Sequence, residues 1–215
     1  MPESDRFITL RTQLNKLKDE FLPEISPISS YSESQLSRTA AYRVLAHAEI
    51  ESYLEERAWE VVQNAKTLWD ESGRTTRTLI CLLGFSGLTM DKPSDTLSRN
   101  NVTQDNHDKR LKISKKIALS SNEFWKIIDN NHGLKEKNIL ALLLPIGIDS
   151  NDLDPNNTWL ATMNTFGEKR GLVAHTSATS YMTTQTPDPA NELNTVNQIT
   201  DELLRIDELI NDLIE

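Results

Sequence analysis

A single all-α helical bundle is the fold this sequence predicts, and three observations carry the prediction. Apolar residues recur at three- and four-residue steps over long stretches. Seven glycines and eight prolines in 215 residues fall mostly between those stretches. No segment alternates apolar and polar residues as a half-buried strand does.

The elements follow in order. Arg6 to about Leu22 is expected to be amphipathic, with Phe7, Leu10, Leu14, Leu17 and Phe21 near one stripe. Pro23, Pro27 and the serines up to Ser34 interrupt it. A long helix is expected from about Ser34 to Glu71, with no glycine or proline before Gly73. Thr75 to Leu88 reads as a third helix, and the polar Asp91 to Asn106 as a loop. Asp108 to Asn131 reads as helical, with Gly133 suited to a left-handed position beyond its end. Lys135 to Leu144 is a short apolar helix stopped by Pro145. Asp154-Pro155 suits the start of the next helix, as cap and first helical residue. Its apolar stripe is Trp159, Met163, Phe166 and Val173, with Arg170 among them. A polar loop from Thr176 to Ala190 precedes a last amphipathic helix from Asn191 to Glu215.

Composition narrows the function classes. Charged residues are 26% and the formal net charge is −9, which argues against a protein that grips nucleic acid with its whole surface. The charge is uneven. Asn191 to Glu215 carries seven acids against Arg205, whereas Lys109, Arg110, Lys112, Lys115 and Lys116 form a run with no acid. Both runs read as solvated helix faces, and the basic one also as a patch that steers RNA. No apolar run reaches the roughly 18 to 20 residues of a membrane span, and the start of the chain is polar rather than signal-like. The lone Cys81 excludes an internal disulfide and suits a reducing, cytoplasmic setting. His47, His107 and His132 lack metal-ligand spacing with one another or with Cys81. No phosphate-binding glycine loop and no nucleophile elbow are present, so neither a metal nor a cofactor is expected.

The stretch Phe166-Gly167-Glu168-Lys169-Arg170-Gly171-Leu172-Val173-Ala174-His175 holds the chemistry. An arginine presents a fixed fork of donors to phosphate, and a histidine moves protons near neutral pH. Residues five apart on an ideal helix point about 140° from each other. The pair can meet if the helix loosens at Gly171 or ends near His175, or if a second copy of the chain completes the pocket. Arg170 also reads as a stem packed on the core with its head in solvent, and His175 as an incidental helix-end residue. Glu49 falls within the apolar arc of the long helix. It reads either as the acid that orients Arg170 or His175, or as a structural acid bonded to a buried hydroxyl or a helix end.

This stretch resembles the R-x4-6-H motif of the HEPN superfamily. Two further blocks resemble its RiboL-PSP-HEPN branch: Ala40-Ala41-Tyr42-Arg43-Val44-Leu45-Ala46-His47-Ala48-Glu49-Ile50-Glu51-Ser52-Tyr53-Leu54, and Asn131-His132-Gly133-Leu134-Lys135-Glu136-Lys137-Asn138-Ile139-Leu140 with Leu144-Pro145-Ile146-Gly147-Ile148. Their order and spacing agree with the branch over about residues 35 to 180. The resemblance implies a HEPN-like core at 35–180. It would be flanked by an N-terminal helix and loop at 1–34, and by a C-terminal loop and acidic helix at 181–215 packing on the same domain. It also implies a metal-independent endoribonuclease acting as a homodimer on RNA, of the toxin or antiviral-defence kind, with a cognate antitoxin or other regulatory partner possible. Arg170 would hold the scissile phosphate and His175 would act as general acid or base. Glu49 and Gly171 would support them, and Lys169, Lys109, Arg110 and Lys112 would bind RNA. Two departures stand out. Gly171 replaces an asparagine found in many members, and Ser177 replaces a tyrosine found in members regulated by a nucleotidyltransferase, with Tyr181 nearby. They keep a second expectation open, a non-catalytic HEPN-like dimerisation, adaptor or RNA-binding module.

Overall fold

A computed structural model describes residues 2–88, 112–155, 158–175 and 186–214, with the side chains of 172–175 outside that description. The loop expected at Asp91 to Asn106, together with His107, Lys109 and Arg110, lies outside the described residues. So do Ser177 and Tyr181. Among the described residues every regular element is helical: α1 (Asp5–Phe21), α2 (Glu33–Ser72), α3 (Arg77–Phe85), α4 (Ile113–Asp129), α5 (Glu136–Leu143), α6 (Ser150–Leu153), α7 (Trp159–His175) and α8 (Pro189–Ile214), with a 3-10 turn at Ile28–Ser30.

The spine is α2, 40 residues and so about 60 Å long. Ser32 caps it rather than Ser34. The Ser32 hydroxyl accepts from Gln35 N–H, and the Gln35 side chain accepts from Ser32 N–H, a reciprocal box that fixes the first turn. Gly73 ends it at φ 70°, a left-handed position that a side chain would strain. Gly133 is not among the positive-φ glycines, so the left-handed stop expected there is absent. Instead α4 ends at Asn130, whose side-chain amide donates to the Lys126 carbonyl.

The other helices wrap α2. Its buried Tyr42, Ala46, Ile50, Tyr53, Leu54, Ala58, Val61 and Val62 meet Phe7, Leu10 and Leu14 of α1. On the same core lie Ile139, Leu142 and Leu143 of α5, Met163 and Phe166 of α7, and Val196, Ile199, Leu203, Ile206 and Ile210 of α8. Each of the Val, Leu, Ile, Phe and Met side chains among them contributes about 1.5–3 kcal/mol on full burial. A small satellite core of Ala65, Leu79 and Ile117 joins α2, α3 and α4.

The acidic last helix is not simply a solvated face. Two of the six acids in α8, Glu192 and Asp207, are buried. Asp207 accepts from Ser4 N–H (2.8 Å), the Ser4 hydroxyl (2.7 Å) and the Tyr53 hydroxyl (2.8 Å), and pairs with Arg57 Nε at 3.1 Å. Burial first, and then the Asp207 carboxylate, push the Tyr53 hydroxyl well above its ordinary range, so it stays a donor. Glu192 accepts the fork of Arg43 through Nε (2.7 Å) and Nη2. No helix among the described residues is long and apolar enough to cross a membrane.

Candidate functional site

The site is built on α7, which starts at Trp159 rather than at Pro155. Asp154 still serves its start from a distance: its carboxylate accepts from the backbone N–H groups of Thr158, Trp159 and Leu160 at 3.0–3.2 Å. Those are donors that a helix start leaves unpaired. From there α7 buries Trp159, Met163 and Phe166 and runs through Gly171 to His175 without a break. The loosening at Gly171 considered from sequence does not occur: Gly171 to His175 is helical.

Arg170 is half-buried and reaches no described carboxylate. That sets it apart. The other half-buried arginines among the described residues, Arg6 and Arg205, each hold a glutamate, and the buried Arg43 and Arg57 are likewise paired. Lys169, also half-buried, has no ion pair with a described residue. The His175 backbone is helical and its side chain lies outside the description. Positions 170 and 175 are about 140° apart around the axis of this continuous helix. Lys112 sits at the N-terminal cap of α4.

Glu49 is only half-buried and makes no hydrogen bond or ion pair with another described residue. It therefore bonds neither Arg170 nor a buried hydroxyl or helix end. Of the polar residues near Glu49, α2 turns Arg43 and His47 inward, and both are buried. His47 stacks on Phe166 with ring centroids 5.6 Å apart and planes 30° apart. Its Nδ1 lies 3.4 Å from Glu51, and neither ring nitrogen makes a hydrogen bond within the described chain. Helical spacing on a polar stripe (Arg43, His47, Glu51, Glu55, each four apart) is the signal that could have singled these residues out.

The three sequence blocks that carry the resemblance meet in space. His47 of the first stacks on Phe166 of the third. Glu55, just beyond the first, accepts from Asn131 Nδ2 of the second at 2.7 Å, and Asn138 Nδ2 in turn donates to Asn131 Oδ1 at 2.8 Å. Burial raises the Glu55 carboxyl above its ordinary range against the pull of that Asn131 bond. Gly167 of the third block lies against Leu134 and Lys135 of the second. A Cβ built on Gly167 would stand 3.3 Å from the Lys135 backbone nitrogen and from Lys135 Cγ.

A Cβ on Gly171, by contrast, meets nothing within 4 Å. The two glycines should separate by substitution. Gly171→Ala removes a mid-helix glycine without a clash and raises the unfolding free energy by about 0.5–1 kcal/mol. Gly167→Ala crowds backbone and falls below it by about 1–2 kcal/mol. Urea titration of both variants checks this, and a Gly167→Ala protein as stable as Gly171→Ala would refute the close approach.

Among the described residues no group of three or more His, Cys, Asp or Glu side chains could hold a metal ion. Comparison with protein families matches the RiboL-PSP-HEPN description over residues 5–212. The chain belongs to the RiboL-PSP-HEPN family. The match takes in α1 and nearly all of α8, beyond the residues 35 to 180 over which the sequence blocks agreed. This HEPN-type domain is all-α, and HEPN domains are frequently ribonucleases. No curated protein and no solved structure matches the chain.

Proposed function

We propose that this HEPN domain is a metal-independent endoribonuclease whose Arg170 and His175 work in a cleft between two copies of the chain. The observation that carries the proposal is Arg170: a half-buried guanidinium with no described carboxylate, beside a second uncompensated cation, Lys169, on the last turns of α7. A cation held without a counter-ion suits an anionic ligand, and a guanidinium fork suits phosphate. In the proposed reaction Arg170 holds the scissile phosphate and stabilises the charge that develops on it. His175 takes the 2′-hydroxyl proton or gives a proton to the leaving oxygen. The RNA supplies its own nucleophile, so the product carries a 2′,3′-cyclic phosphate. The 140° between positions 170 and 175 on one helix favours a cleft completed by a second copy, Arg170 of one facing His175 of the other.

The half-buried lone Cys81 fits a reducing compartment, and a toxin or antiviral-defence role, restrained by a regulatory partner, is proposed on the family resemblance alone. One observation favours the second reading, a non-catalytic dimerisation or adaptor module. Gly171 leaves open space where many members have an asparagine side chain.

Cleavage of total cellular RNA in EDTA, by wild type, Arg170→Ala and His175→Ala, tests the proposal. The expected result is EDTA-resistant cleavage that each substitution lowers at least about a hundredfold. Equal cutting by the variants would overturn the Arg-His mechanism. A monomer in sedimentation would overturn the shared cleft.

A further inference from the structure

Packing does not explain the chemistry of His47. The side chain is 1% exposed and stacked on Phe166, and neither ring nitrogen has a hydrogen bond within the described chain. A neutral imidazole carries one N–H donor and one acceptor, and burying both without partners opposes folding. A phenylalanine would keep the stack and leave no polar atom unpaired. An imidazole that contributes so little in this state suits a second state in which it is bonded. Its partner is at hand. Glu51 Oε2 lies 3.4 Å from His47 Nδ1, about half an ångström beyond a good N–H···O bond. The carboxylate is anchored: Asn131 Nδ2 stands 3.5 Å from Glu51 Oε1 and donates to Glu55 at 2.7 Å. The ring is therefore the part that moves when the gap closes.

Movement of the ring reaches the candidate site in one step. Phe166 packs on it, and Arg170 follows Phe166 by four residues, on the same face of α7, the face turned to α2. Arg170 is half-buried with no described carboxylate, and such a cation resists being drawn further from water. A bound phosphate cancels the charge and removes that resistance. We propose that His47 is a positioning residue for Arg170: its bond to Glu51 is open in the free protein and closes when an RNA phosphate binds Arg170, seating the last turns of α7 on α2. This rests on the reading of Arg170 as a phosphate ligand. Phosphate binds the seated state better, so it shifts the protein towards that state. The His47–Glu51 bond then contributes to RNA affinity and not to the stability of the free fold.

The test is a double-mutant cycle on the full chain, with His47→Phe and Arg170→Ala singly and together. Affinity for an uncleavable 2′-O-methyl oligoadenylate is read by fluorescence anisotropy, and stability by urea titration. His47→Phe should unfold at no lower urea concentration than wild type and bind the oligomer about tenfold more weakly, the scale of a hydrogen bond to a charged group. With Arg170→Ala in place, His47→Phe should change affinity by less than about twofold, because the bond acts only through Arg170. Glu51→Ala leaves the core packing alone; it should weaken binding to the same extent and add nothing to His47→Phe. A His47→Phe protein that loses stability yet binds as wild type does would make the imidazole a packing residue and overturn the proposal. Equal losses with and without Arg170 would overturn it too, as would no binding by wild type. The EDTA assay keeps the two readings apart. RNA cleavage with an additive cycle sinks the positioning role alone, and a coupled cycle without cleavage sinks the enzyme alone.

Discussion

Asp207→Ala should lower the unfolding free energy by about 3–5 kcal/mol, measured by urea titration at neutral pH. The carboxylate is fully buried and serves four groups: Ser4 N–H, the Ser4 and Tyr53 hydroxyls and the Arg57 guanidinium. Removing it leaves the buried Tyr53 hydroxyl without this partner and weakens the compensation of Arg57, whose other partners are Glu60 and Asn211. An uncompensated buried charge is the most expensive of these losses. Ser4 also loses its tether to α8, although its hydroxyl still caps α1 through Phe7 N–H. Asp207→Asn separates charge from shape. It keeps a carbonyl acceptor and should cost less than alanine while remaining well below wild type. A loss under about 1 kcal/mol for alanine would mean that the cluster is wet rather than buried.

The second large effect is at the other buried pair. Glu192→Leu should cost about 3–5 kcal/mol, because Arg43 is 2% exposed and would lose its carboxylate. Combining it with Arg43→Met should recover most of that loss, since well-packed apolar replacements of a buried pair are often neutral or stabilising. The double-mutant cycle is the measurement that decides. A double variant no more stable than Glu192→Leu alone would show that the two charges are not coupled. The pair matters to the site because it fixes the first turn of α8 against α2, and α8 in turn packs on α7.

Periodicity found the helices because burial and the 3.6-residue repeat are the same fact seen twice. The α1 stripe of Phe7, Leu10 and Leu14, and the α8 stripe from Val196 to Ile210, went straight into the core. Ends were harder. Ser32 and Ser34 are equally good caps by residue type, and only the reciprocal bond with Gln35 selects Ser32. Asp154 has the chemistry of a cap but acts from several residues away, so the start of α7 was misplaced. Inward polar residues were the least legible. Glu49 shares an arc with apolar residues yet stays half-buried, while His47 and Arg43 are buried. The difference is set by partners far along the chain, Phe166 for His47 and Glu192 for Arg43, which one helix's pattern does not encode. Glu192 and Asp207 were submerged in an acidic run for the same reason. Arg170 could be singled out from sequence by its motif, but its want of a counter-ion could not, because that depends on every acid that packs elsewhere.

The Ser4 to Asp207 tether spans 203 positions and bears on how the protein is made. A ribosome adds roughly 5–20 residues per second, so some ten seconds or more separate the two residues during synthesis. Once made, Tyr53 and Arg57 still wait for the Asp207 carboxylate that each will bind. The hydrophobic seam of α1 and α2 can form early from local contacts, but the bundle closes only when α8 arrives. Chains stalled before α8 therefore lack this fastening and leave uncovered the α2 face that α8 packs against.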